Sequence, residues 1–108
     1  MVRDSLYRNS DAERTLSMWR EVLAAEDIYL YPYKETADVA FDTFHAFELG
    51  VMKPYAEKLI SDELAKNNSY ASTVIKALRQ VALVDEKLIP EDSLIREFIP
   101  GGKYESLY

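Results

Sequence analysis

Cysteine is absent from this chain of 108 residues, glycine occurs three times and histidine once. Without thiols there is no disulfide framework, no thiolate zinc site and no cysteine nucleophile, so any chemistry must be polar. Three glycines are too few to write a phosphate-binding loop or a dinucleotide fingerprint onto the chain. Positive charge is also short: 13 Lys and Arg against 19 Asp and Glu leave a net charge of -6. No basic stripe is available to displace counterions from a phosphate backbone, and nucleic acid is not an expected partner. No apolar run reaches the length that crosses a bilayer, and residues 1–5 hold no hydrophobic signal region. A membrane partner is therefore not expected, and a cytoplasmic location is.

At this length the chain is one domain at most, near the size where burial only just outweighs chain entropy. What it does have is one dense apolar and aromatic block over residues 37–60. Val39 and Phe41 alternate with Asp38, Ala40 and Asp42, the period-two pattern of a half-buried strand. From Thr43 to Met52 two patterns compete, a strand face through His45, Phe47 and Leu49 and a helical stripe through Phe44, Phe47 and Val51. Gly50 weakens a helix interior and Pro54 suits the first turn of a new helix, so the reading is a short hairpin followed by a helix to about Ala65.

On either side the pattern is helical. Ser10 and Glu13 form a capping box for a helix of about four turns to Ala25, with Ala12, Leu16, Trp19 and Leu23 as its apolar stripe. Residues 26–34, with Tyr29, Tyr31 and Tyr33 around Pro32, read as extended connector that covers the core or lines a cleft. Ser69 caps a second amphipathic helix over residues 70–84, and residues 89–93 start a short turn or helix through Glu97. Beyond Gly102 the tail is expected to be flexible. The fold class that follows is α+β and helix-rich, a short strand or hairpin with three to four helices.

Candidate chemistry is sparse. His45 has no second ligand for a metal, and as a general base it would need Asp42 or Glu48 to orient it. Asp38, Asp42 and Glu48 offer oxygen ligands for magnesium only if they converge, and at this spacing they also read as caps and exposed positions. Arg3 and Arg8 are more suggestive. Two guanidinium groups in an otherwise acidic chain can close on a phosphate with bidentate bonds, the plain alternative being surface ion pairs with Asp4 or Asp11.

Four separated blocks then form an ordered pattern: residues 2–16 with Arg3-Asp4-x-x-x-Arg8, residues 31–39 ending Ala37-Asp38-Val39, residues 47–57 with Lys53-Pro54-Tyr55, and residues 89–99 ending Arg96-Glu97-Phe98-Ile99. Together they resemble the C-terminal part of bacterial uridine kinase-like proteins of the phosphoribulokinase/uridine kinase family. The resemblance implies that Arg3 and Arg8 belong to a lid over the phosphates of ATP and that Ala37 to Val39 lies in the sheet of the kinase core. Residues 1–43 would then be lid and last core strand of a P-loop α/β fold, and residues 44–108 a C-terminal helical extension. The phosphate-binding loop, its lysine and the acidic base of such a kinase are expected upstream of Met1. ATP and magnesium are accordingly expected in the parent kinase and neither on this chain alone, which by itself is expected to be inactive. A stand-alone helical interaction or dimerisation module, with a homodimer as its partner arrangement, is the alternative of a different class.

Overall fold

The computed structural model describes residues 1–105. Among them are six α-helices: α1 (Val2–Tyr7), α2 (Ala12–Ser17), α3 (Trp19–Tyr29), α4 (Glu48–Leu59), α5 (Asp62–Asn67) and α6 (Ser69–Arg79). Three 3-10 turns, Tyr31–Thr36, Glu86–Leu88 and Leu94–Glu97, complete the regular structure. No strand occurs among the described residues, so the α+β expectation and the hairpin near Val39 are both corrected. The reason is that alternation only marks which face of a strand would be covered, whereas a strand exists only when a neighbour completes its hydrogen-bond ladder. Residues 38–43 have no such neighbour here.

Local chemistry explains where the helices begin and end. Asp11, not Ser10, caps α2, accepting from the Arg14 amide at 2.7 Å. The expected four-turn helix is two helices with a break at Met18. Just before the break, the hydroxyls of Thr15 and Ser17 donate back to the carbonyls of Asp11 and Arg14, at 3.1 and 2.8 Å. Such back-bonding competes with the helical ladder and bends or ends it. The expected connector over residues 26–34 is also corrected, since α3 runs on to Tyr29 and a 3-10 turn follows. Pro32 restricts only the residue before it, which leaves residues 26–29 free to continue the helix. Ser61 caps α5 through the Leu64 amide at 3.1 Å. Asn68 rather than Ser69 caps α6, accepting from Tyr70 and Ala71 at 3.0 and 3.1 Å.

Pro54 lies inside α4, not at a first turn. A proline has no N–H to give the carbonyl four residues back, so the Gly50 carbonyl loses its helical donor. The Val84 amide fills that place at 3.3 Å. Gly50 makes the approach feasible, because a Cβ there would stand 2.6 Å from the Ala82 carbonyl oxygen and 2.7 Å from Val84 Cγ2. The two residues that argue against a helix in the sequence are thus what lets the segment after α6 dock on α4.

The buried apolar residues form three small clusters along α4. Val51 packs with Ile89, Ile95 and Ile99; Ala56 with Val2 and Leu78; Ile60 with Leu16 and Ala71. Helices α1, α2, α4 and α6 and the C-terminal turns therefore share one body. Arg96 closes those turns, donating to the carbonyls of Pro100, Glu86 and Ile89 at 2.6, 2.8 and 2.7 Å. Gly101 adopts φ +84° over the Arg96 guanidinium, a conformation that favours glycine. The expectation of a flexible tail beyond Gly102 meets a tether, since the Lys103 amide donates to the Glu91 carbonyl at 2.8 Å; residues 106–108 lie outside the described residues.

Tyr55, half-buried on α4, donates its hydroxyl to the Glu86 carboxylate. Burial first, and then that carboxylate, push its pKa up to about 12. A phenol whose folded pKa lies above its unfolded value of about 10 stabilises the fold below that value and loses the contribution as pH rises towards the folded pKa. The unfolding midpoint of the wild-type chain should therefore fall more steeply from about pH 10 to about pH 12 than that of Tyr55→Phe. Parallel curves for the two proteins would remove Tyr55 from the explanation.

Candidate functional site

The two arginines sit on and just after α1. Five residues apart, they are separated by about 140° around the helix axis, so they do not face one ligand simply by spacing. Asp4 draws them together. Its Oδ1 lies 3.3 Å from Arg8 Nη1 and 4.0 Å from Arg3 Nε. Arg3 turns towards the C-terminal turns, where its Nη1 donates to Glu97 Oε1 at 3.2 Å and its guanidinium lies 5.2 Å from the Phe98 ring centroid. Its Nε is buried and makes no hydrogen bond. Arg8 is 60% exposed and its only described ion pair is with Asp4.

Of the alternatives raised by the sequence, the ion pair with Asp4 forms, whereas Asp11 is occupied as the α2 cap. With the Met1 ammonium 3.3 Å from Asp4 Oδ2, three cations face the two carboxylates of Asp4 and Glu97, so most of the positive charge is already paired. A polyphosphate would have to exchange its oxygens for those of Asp4 and Glu97, and each carboxylate is partly exposed, so the exchange involves little burial. Glu97 and Phe98 were not legible as partners of Arg3, because 94 residues separate Arg3 from Glu97. Tyr7 in the same helix has its pKa raised by burial and then by the Glu105 carboxylate, a second link from the C-terminal segment to α1.

The remaining candidates do not assemble. His45 is half-buried with its ring 5.4 Å from that of Phe47. The Asp42 carboxylate accepts from the Phe44 amide at 2.9 Å, so it caps a turn instead of orienting the imidazole. Among the described residues no group of three His, Asp or Glu side chains could hold a metal ion, so Asp38, Asp42 and Glu48 do not converge.

The second notable region is the segment from Met18 to Leu49, which contains no buried residue. It carries 13 of the 19 large apolar side chains that stand exposed among the described residues. Tyr29, Tyr31, Tyr33, Val39, Phe41 and Lys34 line one open depression. Trp19, read from the sequence as the anchor of a helical stripe, is exposed, as are Phe41 and Phe44. Residues 37–49 of this arm are the half of the aromatic block that did not become core. Among the described residues no helix is long and apolar enough to cross a membrane. No family model, no curated protein and no solved structure matches this chain.

Proposed function

We propose that the chain is the C-terminal part of a uridine kinase-like nucleoside kinase, which transfers phosphate from ATP to a nucleoside once its arm is covered by a nucleotide-binding half. The observation that carries this reading is the state of residues 38–43. These residues form no strand, and Val39 and Phe41 stand exposed with no covering surface among the described residues. Exposed apolar surface on this scale marks a face that another surface covers.

In this reading Arg3 and Arg8 trade the carboxylates of Asp4 and Glu97 for phosphate oxygens and stabilise the charge that develops during transfer. ATP and magnesium would be held mainly by the upstream half, through the loop and lysine that this chain does not contain. The test begins with the coding sequence preceding Met1. If it encodes Gly-x-x-x-x-Gly-Lys-Ser/Thr, the contiguous chain should phosphorylate uridine from ATP. Arg3→Ala and Arg8→Ala in that chain should each lower kcat/KM by roughly 100-fold, as removal of one charge-stabilising donor does elsewhere. A gene product that opens at Met1, or a contiguous chain without transfer activity, ends the proposal.

The interaction-module reading rests on the same exposed arm and needs no catalysis. It is preferred if the 108-residue chain binds a partner through the arm while the contiguous gene product transfers no phosphate.

A further inference from the structure

The arm has a charge as well as a shape. Residues 18–49 hold seven carboxylates against only two cations, Arg20 and Lys34, a net -5 of the -6 carried by the whole chain. The other residues are together close to neutral. Exposed rings and negative charge therefore occupy the same stretch of chain: Asp27, Glu35, Asp38 and Asp42 are all exposed and interleave in sequence with the residues that line the aromatic depression. We infer that the arm is a docking face for a protein surface that is apolar at its centre and basic at its rim. This rests on reading the arm as a face that becomes covered, and it does not depend on phosphate transfer.

Area supports a stable contact. Tyr29, Tyr31, Tyr33, Phe41 and Phe44 are between 53% and 85% exposed. At about 150–250 Å² for a fully buried ring, these five alone offer on the order of 700 Å². One partner in a standard interface contributes about 800 Å². Rings of this type are also the usual anchors of such interfaces.

Charge decides among the occupants. A two-fold symmetric dimer would set the same patch of each copy against the other, and so bring -5 to face -5 within about a Debye length of 10 Å. Like-charge juxtaposition of that kind suppresses a wrong partner. Nucleic acid and anionic lipid carry the same sign and are repelled in the same way. A basic rim gains attraction from the exposed carboxylates of the arm, while an apolar centre covers the rings. A single lysine, Lys34, leaves room for an acidic group on the partner beside Tyr33.

The test uses the full chain and two short synthetic amphipathic peptides with the same Leu and Val positions, one with lysine and one with glutamate at every polar position. Calorimetry should show the lysine peptide binding at least about tenfold more tightly than the glutamate peptide, and weakening by about tenfold between roughly 50 mM and roughly 500 mM salt. Tyr33→Ser with Phe41→Ser should weaken the lysine peptide about tenfold or more, without changing the unfolding midpoint, because both rings are solvent-facing. Asp38→Lys with Asp42→Lys should weaken it and reduce the salt dependence. Equal binding of both peptides, binding of neither, or light scattering that shows a salt-insensitive dimer lost in the Tyr33 and Phe41 variant would overturn the inference. None of these outcomes bears on whether the contiguous gene product transfers phosphate, so the two tests fail separately.

Discussion

Gly50→Ala is expected to destabilise the chain by about 3 kcal/mol, the upper end for overpacking a well-filled interior. An added Cβ would lie 2.6 Å from the Ala82 carbonyl oxygen and 2.7 Å from Val84 Cγ2. Real Cβ atoms do not approach that closely, so α4 and the segment after α6 must move apart. The move also stretches the bond from the Val84 amide to the Gly50 carbonyl, now 3.3 Å, which replaces the donor that Pro54 lacks. Ordinarily alanine raises helix stability over glycine by about 1 kcal/mol, so the sign of the effect separates the two causes. A denaturant melt with a raised midpoint would mean that the approach of residues 82–84 is not a fixed part of the fold. Val84→Ala in the same background should recover only part of the loss, since the nearer obstacle is backbone.

Ile99→Ala is the second large effect, at about 3–4 kcal/mol. Ile99 is completely buried and packs with Val51, Ile89 and Ile95. Truncation removes its transfer energy and leaves a cavity that the 3-10 turns, held by the three Arg96 bonds, cannot easily collapse. The contrast is Phe41→Ala, which deletes a larger side chain. Because Phe41 is almost wholly exposed, its loss should change the unfolding free energy by no more than about 0.5 kcal/mol. A larger loss on Phe41→Ala would show that the isolated chain already covers its arm, and both the kinase reading and the docking inference would need revision.

Several features were readable from residues alone. Of the helical stripe through Ala12, Leu16, Trp19 and Leu23 the first two are buried, while Trp19 is exposed and Leu23 half-buried; Leu78 on α6 is buried as its spacing implies. The short turn expected after residues 89–93 forms over Leu94–Glu97, and the structure adds its cap, the Ile95 amide donating to the Ser93 hydroxyl at 3.4 Å. At Arg8 the ion pair with Asp4 was one of the two arrangements that the spacing allowed. Legibility fails where a residue's state depends on distant chain. Glu48 begins a helix because Val84 and Ile99 give Gly50 and Val51 something to pack on, which neither period of the aromatic run could reveal. Val39 and Phe41 have a strand's alternation and no strand to pair with. The capping residues were placed one position off at Ser10 and Ser69, since neighbouring Asp11 and Asn68 compete for the same free amides and the better geometry won.

By itself the sequence settles the exclusions and the charge: no thiol chemistry, no glycine-rich phosphate loop within these residues, and acidity gathered between Met18 and Leu49. Those are properties of composition and order, which folding does not alter. The tertiary structure alone decides that α4 is the axis of the body, that Arg3 is held by Glu97 and Phe98 from the far end of the chain, and that half of the aromatic block is left outside. Burial is a relation between segments far apart in sequence. An apolar residue becomes core only when another part of the chain reaches it, and Tyr29, Tyr33, Phe41 and Phe44 in the arm stay 64–85% exposed.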